Sequence, residues 1–231
     1  MDKKTLVGEE IARRVENGQT IGVGTGSTVD AALTAIGRRA AAQHLEVSVV
    51  ATSLETAWRC EALGLTVRAP GYGGPISWGF DGADAVDERL RAVKGRGGAL
   101  LREKILAVRC RPYILIVDDS KLCPNIAAKC PVPVEVVPEA LPFVKERLAA
   151  LGAGDIQLRL GVHKHGPVIT EYGHVILDVS FAEIADDLEE RIKAIVGVVE
   201  SGLFLRYATE VLAAGDNGVR SLRASRLVSP P

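Results

Sequence analysis

The chain has 231 residues, enough to bury a sizeable core, and its 28 Lys and Arg residues face 29 Asp and Glu residues. This balance leaves no overall field that would draw the molecule to nucleic acid or to an anionic membrane. Four cysteines without a CxxC pair, no secretory signal and no apolar run near the roughly 20 residues that span a bilayer predict a soluble, cytoplasmic protein.

Predicted strands and helices alternate through the first part of the chain. The first helix, at 3–17, has apolar residues at helical spacing and stops at Asn17-Gly18. Further helices are predicted at about 28–42, 54–63 and 99–110, and strands at 20–23, 47–51, 76–80, 113–117 and 132–137. This alternation predicts a parallel sheet flanked by helices, with ligands at the carboxyl ends of the strands. Trp58 and Trp78 are most simply interpreted as core residues.

The pattern changes from about Pro131 onward. Helices at 139–151 and 183–195 and strands at 156–160 and 175–179 indicate a small α+β unit, and a turn at 215–218 predicts that 210–222 returns two strands to the main sheet. We therefore predict an α/β fold with a Rossmann-like parallel-sheet main domain, formed by 1–130 and 205–231, and a smaller inserted α+β domain at 131–204.

The first strand leads into a helix through the glycine-rich loop Gly22-Val-Gly-Thr-Gly-Ser-Thr28. Glycines allow a ligand to approach the backbone, and the unpaired amides at the start of a helix attract an anion. The loop lacks the third glycine of a dinucleotide site and the Gly-Lys-Ser/Thr ending of a nucleotide P-loop. A phosphate cradle is therefore favoured over a plain tight turn with an N-cap. Five residues would form it: Gly24, Thr25, Gly26, Ser27 and Thr28.

Carboxylates follow the strand predicted at 76–80. Asp81 and Asp84 lie three residues apart, at the position where an α/β enzyme keeps its site, although Asp-Gly is also an ordinary turn. No histidine lies nearby and the spacing does not match a calcium loop, so we expect no metal here. We expect none at His163 and His165 either, because that pair falls on a predicted surface hairpin with too few ligands.

The helix predicted at 99–110 carries a glutamate in an unusual setting. Leu101, Ile105 and Val108 form one apolar stripe, and Glu103 lies on the opposite side among small and apolar residues. No residue three or four positions from Glu103 is charged, so the helix offers it no ion pair. Partial desolvation should raise its pKa and suit it to move a proton. The alternative is a solvated glutamate.

Three lysines are candidates for substrate contacts. Lys94 opens a second glycine-rich loop, Lys94-Gly-Arg-Gly-Gly98, and Lys121 follows the strand at 113–117. Lys4 is in phase with the inward positions of the first helix and would point a cation at the phosphate cradle. A lysine near the terminus, such as Lys4, is usually just solvated, and for Lys121 a solvated side chain is an equally common arrangement.

Four loops, at this order and spacing, resemble those of ribose-5-phosphate isomerase of type A: the two glycine-rich loops, the segment 81–87 and the segment 131–138. The match runs nearly end to end. The resemblance implies interconversion of ribose 5-phosphate and ribulose 5-phosphate through a cis-enediolate, in the non-oxidative pentose phosphate pathway. It also implies that the enzyme needs no cofactor and forms a homodimer or a homotetramer.

The resemblance also implies roles at the matching positions. Glu103 would be the base that moves a proton between sugar carbons 1 and 2, and Asp81 would assist ring opening and proton exchange at oxygen. Lys94 and Asp84 would hold and stabilise the enediolate. The remaining positions would bind the substrate and its phosphate: Lys4, Gly24, Thr25, Gly26, Ser27, Thr28, Gly95, Gly97, Gly98 and Lys121.

The sequence departs from the family pattern at a few places. Arg96 stands where glycine is usual, Ala85 replaces a glutamate, and Glu171 and His174 replace Asp and Asn in a hairpin. Arg96 would resist a left-handed backbone, or would add a phosphate or interface contact. A sugar-phosphate sensor would need a DNA-binding module, which no segment here supplies. An amino-sugar phosphate deaminase or a CoA transferase would need signature residues that are missing.

Overall fold

The computed structural model describes residues 2–223, which form strands and helices in the alternation expected from the sequence. In chain order the elements are α1 (Lys3–Ala12), β1 (Thr20–Val23), α2 (Ser27–Gln43), β2 (Ser48–Ala51), α3 (Leu54–Ala62), β3 (Thr66–Val67), β4 (Trp78–Asp81), β5 (Ala85–Val86), β6 (Ala92–Val93), α4 (Leu100–Arg109), β7 (Tyr113–Asp118), β8 (Val132–Val136), α5 (Leu141–Ala150), β9 (Ala153–Leu158), β10 (Val175–Phe181), α6 (Leu188–Lys193), β11 (Val198–Ser201), β12 (Leu203–Phe204), β13 (Glu210–Gly215) and β14 (Gly218–Arg223).

The largest sheet has seven strands in the order β14-β13-β7-β4-β1-β2-β3. All neighbours pair in parallel except β13 and β14, which form an antiparallel hairpin. The predicted parallel sheet and the return of two tail strands to it are therefore confirmed. The central strands are apolar and buried on both faces, as strands covered by helices must be. Parallel pairing brings their carboxyl ends to one edge.

A second layer is built on a four-stranded antiparallel sheet in the order β11-β8-β10-β9. Helices α5 and α6 contribute Val144, Leu148, Leu188 and Ile192 to the apolar core beside it. A three-stranded sheet, β12-β6-β5, joins this layer to the loops that follow β4. The second layer thus lies against the edge where the parallel strands end.

Several predicted boundaries are wrong for identifiable reasons. The helix predicted at 183–195 is confined to α6, because the carbonyl of Ile184 accepts a hydrogen bond from Arg91 (3.0 Å) and the side chain of Ile184 joins the second core. The first helix ends at Ala12 instead of residue 17, and its last carbonyl accepts a hydrogen bond from Arg39. The two-residue strands were missed because they are too short to show a period.

One burial prediction also fails, and one apolar stripe proves to be exposed. Trp58 was expected in the core but is 64% exposed, whereas Trp78 is buried. In α4, the stripe that includes Ile105 and Val108 faces outward, with each of these two side chains 47% exposed. The inner face of α4 is instead the face that carries Glu103, which is 2% exposed. The expected desolvation of Glu103 is confirmed, and it is stronger than the sequence suggested.

No helix in the described part of the chain is long and apolar enough to cross a membrane.

Candidate active site

A cleft of about 430 Å³ opens at the carboxyl ends of β1, β4 and β7. Its floor and walls come from the loops that follow these strands, from the glycine-rich loop before α4, and from α1 and α4. The lining residues are Lys4, Thr25, Gly26, Ser27, Thr28, Gly82, Ala83, Asp84, Lys94, Gly95, Arg96, Gly97, Glu103, Asp118, Ser120 and Lys121. Most of the predicted site residues therefore meet in one place.

One end of the cleft is the start of α2. Gly26 precedes the helix with φ 126°, and the hydroxyl-bearing residues Ser27 and Thr28 form its first turn. The first amides of a helix have no intrahelical acceptor and, with the helix dipole, favour an anion. The Lys4 ammonium donates a hydrogen bond to Ser27 Oγ at 2.8 Å, which places a cation beside those amides. This end has the donors and charge that a phosphate group requires.

Gly24 is required by the packing of a carboxylate. A Cβ atom built on Gly24 would lie 1.9 Å from Cγ of Asp81, so every other residue would displace that carboxylate. Asp81 Oδ1 accepts hydrogen bonds from the backbone amides of Thr25 (3.2 Å) and Gly82 (2.7 Å). The glycine-rich loop therefore fixes the Asp81 side chain, which is fully buried.

At the other end of the cleft, Lys94 lies between two buried carboxylates. Its ammonium is 2.9 Å from Asp81 Oδ2 and 3.1 Å from Glu103 Oε2, and it donates a hydrogen bond to the carbonyl of Gly82 at 2.7 Å. The distance to Glu103 is that of an ion pair, but the angles are not those of a hydrogen bond. Glu103 Oε2 is thus a buried oxygen without a hydrogen-bond partner among the described residues.

Burial and the neighbouring charges perturb the whole cluster. Desolvation, followed by the negative charge of Asp81, raises the pKa of Glu103 to about 8. Desolvation also raises the pKa of Asp81, against the opposing charge of Lys94. Desolvation alone would lower the pKa of Lys94, but the charges of Asp81 and Glu103 outweigh it and raise that pKa. Two acids and one cation thus share a buried site, and Glu103 is poised to exchange a proton near neutral pH.

The loop between Lys94 and α4 carries its positive φ angles on Gly95 (100°) and Gly98 (82°). Arg96 therefore does not adopt the left-handed conformation that its Cβ would resist, which answers the question raised by its departure from the family pattern. Its backbone amide donates a hydrogen bond to Asp84 Oδ2 at 3.1 Å, and the residue is exposed at the cleft. Asp84 consequently supports the loop as well as lining the cleft.

Replacing Arg96 by glycine should leave turnover within about tenfold of wild type. The loop contacts of Arg96 use its backbone, which glycine retains, and the side chain adds only an exposed cation to the cleft. Steady-state kinetics with Arg96→Met as the matched variant, which removes the charge but not the Cβ, separates the two effects. Complete loss of turnover in both variants would show that the chain uses the guanidinium group directly.

Three predicted site residues do not line the cleft in the described structure. Gly24 and Asp81 are buried behind it, and Gly98 lies beside Glu135 and Thr170 instead. Thr25 does line it, but its hydroxyl is within 2.8 to 3.2 Å of the hydroxyls of Thr52, Ser53 and Thr56. Gly24 and Asp81 therefore support the cleft walls from behind, and the Thr25 hydroxyl is occupied by these three contacts.

Sequence reasoning missed several residues at this site. The hydroxyl of Tyr113 donates a hydrogen bond to Asp81 Oδ2 at 3.2 Å, although Tyr113 lies at the opposite end of its strand from the cleft. Asp118 and Ser120 line the cleft beside Lys121. Their position directly after a strand was a usable signal, whereas the reach of a tyrosine along a neighbouring strand leaves no mark in the sequence.

The residues on either side of Glu103 join α4 to the second layer. Arg102 forms an ion pair with Glu171, and its guanidinium stacks 4.9 Å from the centre of the Tyr172 ring. Lys104 is buried between Glu189 (2.5 Å) and Glu200 (3.0 Å). These contacts lie on both flanks of the glutamate and fix how its helix is oriented toward the cleft.

The two unusual hairpin residues both have partners. Besides Arg102, Glu171 accepts a hydrogen bond at 2.9 Å from the amide of Leu54, the first residue of α3. His174 Nδ1 lies 2.9 Å from Oε1 of the buried Glu135, which also accepts a hydrogen bond from Thr170 at 2.8 Å. Both substitutions therefore have structural roles. Among residues 2–223 no three His, Cys, Asp or Glu side chains are grouped closely enough to hold a metal ion.

Comparison with known proteins identifies the family to which this arrangement belongs. The family model described as ribose 5-phosphate isomerase A (phosphoriboisomerase A) matches residues 48–218. The chain is 42% identical to the ribose-5-phosphate isomerase A of Thermomicrobium roseum, over 94% of this chain and 92% of that protein. It is 37% identical to that of Thermococcus kodakarensis, over 96% and 97% of the two chains.

Solved structures agree with these relatives. The ribose 5-phosphate isomerase A of Methanocaldococcus jannaschii superposes with a TM-score of 0.92 at 36% identity, over 96% of this chain and 98% of that one. A D-ribose-5-phosphate isomerase in complex with phospho-erythronic acid gives 0.93 at 34% identity, over 96% and 100%. The α/β fold expected from the sequence is therefore confirmed, and the chain belongs to the ribose 5-phosphate isomerase A family.

Proposed function

We propose that the protein interconverts ribose 5-phosphate and ribulose 5-phosphate. The observation that supports this most directly is that one cleft contains a phosphate-binding end and a proton-transfer end. One end has amides, hydroxyls and the Lys4 ammonium for a phosphate group, and the other has the buried Glu103 carboxylate next to Lys94. A phosphorylated sugar bound between them would present its carbonyl carbons to Glu103.

The proton transfer follows from the state of Glu103. Its carboxylate removes the proton from C2 of the open-chain aldose, the electrons of that C–H bond form a C1=C2 double bond, and the carbonyl π electrons move to O1. After the hydroxyl proton on O2 passes to O1, the C2 carbonyl forms and Glu103 returns its proton to C1. A raised pKa suits this double role, because the group must both accept and release a proton near neutral pH.

The negative charge of the enediolate is stabilised by Lys94. Its ammonium is already held at 2.7 Å from the carbonyl of Gly82 and close to two carboxylates, so it needs little reorganisation when the charge develops. The Asp81 carboxylate keeps the Lys94 ammonium charged. We propose that Asp81 assists ring opening and proton exchange through this contact with Lys94. Asp84 lines the cleft from the other side of the loop and would hold the sugar hydroxyls.

The phosphate would bind at the start of α2, with Ser27, Thr28, Lys4 and Lys121 as its partners. One relative was solved with phospho-erythronic acid, which carries a phosphate and a carboxylate. In this cleft the phosphate would lie at the start of α2 and the carboxylate beside the Lys94 ammonium. Binding energy from the phosphate would position the reacting carbons at Glu103.

Three broader expectations belong to the same proposal. A homodimer or homotetramer in the cytoplasm, acting in the non-oxidative pentose phosphate pathway, follows from the resemblance to the family. The division into a main domain (1–130 and 205–231) and a smaller one (131–204) agrees with the two sheet layers. No cofactor is required by the steps above, since the residues named supply both the base and the stabilising charge.

The proposed function is tested with ribose 5-phosphate and unphosphorylated ribose, in buffer containing EDTA. The purified chain should form ribulose 5-phosphate, and kcat/KM for ribose should be lower by at least about 10²-fold, since each lost charge-assisted hydrogen bond is worth roughly 1.5 to 3 kcal/mol. Near-equal values would remove the phosphate role of the α2 cradle. If a folded sample forms no ribulose 5-phosphate the function is wrong, and if only added divalent ion restores activity the metal-free mechanism is wrong.

A further inference from the structure

The guanidinium group of Arg159, one residue beyond β9, contacts the glycine-rich loop that carries Lys94. Its Nη1 donates hydrogen bonds to the carbonyl oxygens of Gly95 at 2.8 Å and Arg96 at 3.1 Å. The rest of the guanidinium binds Asp178 on β10 through Nε, at 2.9 Å, and through Nη2. One side chain of the second layer therefore holds two consecutive carbonyls of a cleft-forming loop.

The fork geometry makes this contact directional. Arg159 and Asp178 form a two-point pair, and their side chains are only 15% and 25% exposed. A planar guanidinium fixed along one edge by a carboxylate presents its remaining donors in a set direction, which lysine does not reproduce. Gly95 and Arg96 must orient their carbonyls toward Arg159 to satisfy it.

The orientation of the Gly95 and Arg96 carbonyls determines which backbone groups of the loop face the cleft. With the Gly95 carbonyl directed at Arg159 and at the amide of Gly98 (3.0 Å), the amide of Arg96 is left to donate to Asp84. At the start of the loop, the amide of Lys94 donates to the carbonyl of Gly202 at 2.8 Å. The backbone on both sides of the Lys94 side chain is thus fixed by the second layer.

We propose that Arg159 is a positioning residue for the isomerase reaction: through the carbonyls of Gly95 and Arg96 it holds the loop in the conformation that sets Lys94 against Asp81 and Glu103. The inference rests on the proposed function for its kinetic consequence only. In the described part of the chain, Arg159 does not line the cleft. It would therefore act through the loop and not on the substrate.

The kinetic test compares Arg159→Ala and Arg159→Lys with Arg14→Ala. Arg14 makes the same kind of two-point pair, with Glu210 at 2.7 and 2.9 Å, but away from the cleft. Both Arg159 variants should lose about 10-fold to 10²-fold in kcat, the cost of a misplacement of about 1 Å, with KM within about threefold because the phosphate cradle is unaltered. Arg14→Ala should keep the kcat of the wild type.

A chemical rescue gives a second kinetic test. Guanidinium ions, added well below denaturing concentrations, should restore part of the kcat lost in Arg159→Ala, whereas the same concentration of urea should not.

Hydrogen exchange of the full-length protein gives a readout that does not depend on activity. Peptides covering 94–99 should exchange faster in Arg159→Ala than in the wild type, and at the wild-type rate in Arg14→Ala. Unchanged exchange in 94–99, or a kcat equal to that of Arg14→Ala, would overturn the proposal. So would a loss of kcat that guanidinium does not relieve. An inactive wild type would instead contradict the proposed function, and the exchange experiment would still decide whether Arg159 holds the loop.

Discussion

Replacing Glu103 by glutamine should lower turnover by about 10²-fold to 10⁴-fold while leaving KM close to that of the wild type. Glutamine keeps the shape of the side chain but cannot accept the proton from the sugar carbon.

The same assignment predicts that kcat/KM of the wild type rises with pH up to about 8, because only the ionised carboxylate acts as the base and its pKa is raised to about 8.

The folding stability of the wild type should fall with rising pH, opposite to the change in kcat/KM. The folded-state pKa of Glu103 lies above its ordinary value, so between that ordinary value and about pH 8 the folded state retains a proton that the unfolded state has lost. The contribution of Glu103 to folding stability is fully present below its ordinary pKa and is lost as the pH rises through about 8. Glu103→Gln abolishes this titration. Its melting temperature should therefore exceed that of the wild type by more at pH 8 than at pH 5.

Glu210 provides a matched control for this experiment. It is also a buried glutamate, but its hydrogen bonds with Arg14 lower its pKa to about 2, so its ionised form stabilises the fold at neutral pH. Glu210→Gln should melt lower and retain normal turnover. Kinetics and melting curves on the same samples decide the matter. If Glu103→Gln melts much lower and turns over normally per folded molecule, Glu103 is a structural residue and another group must be the base.

Replacing Lys94 by methionine should cost both activity and stability. Turnover should fall by at least about 10²-fold to 10³-fold, the usual effect of removing one preorganised group that stabilises developing charge. Asp81 and Glu103 would remain buried without their cation, and breaking a buried ion pair in this way costs about 3–5 kcal/mol. The loss of stability should grow from pH 5 to pH 8, because removing the cation raises the folded-state pKa of both acids, which then keep protons that the unfolded state loses.

Lys104 offers the matched control for Lys94. It is also a buried lysine between two carboxylates, Glu189 and Glu200, but it is not one of the residues that line the cleft in the described structure. Lys104→Met should lose comparable stability while keeping turnover per folded molecule within about tenfold. Denaturant melts at the two pH values, together with kcat corrected for the folded fraction, give the comparison. Equal loss of turnover in the two variants would mean that Lys94 acts through folding and not through charge.

The parallel sheet and the position of the cleft could be predicted because both depend on local signals. Apolar runs such as 113–117 are long enough to identify buried strands, and glycine-rich loops between a strand and a helix have few other uses. The carboxylates of Asp81 and Asp84 follow from the same reasoning, since parallel strands end at one edge. The desolvation of Glu103 was visible in the uncharged residues around it on the helix.

The remaining features depend on contacts between segments that are distant in the sequence. The hydrogen bond from Tyr113 to Asp81 crosses between strands and joins residues 32 positions apart. Trp58 was misplaced because an aromatic residue at helical spacing does not reveal whether its face is covered. Arg159 has no local pattern at all, because its partners Gly95 and Arg96 precede it by more than 60 residues.

The contacts made by Arg102 and Lys104 also constrain how the two layers can change during evolution. A charge reversal at Arg102 would have to be matched at Glu171, and one at Lys104 at both Glu189 and Glu200. Because the intervening residue is Glu103, an unmatched charge reversal would place like charges together and disturb the helix that presents the proton acceptor. Sequence drift in the second layer is therefore coupled to drift beside the active centre, and a second layer recombined from a distant homologue would have to bring its own version of α4 with it.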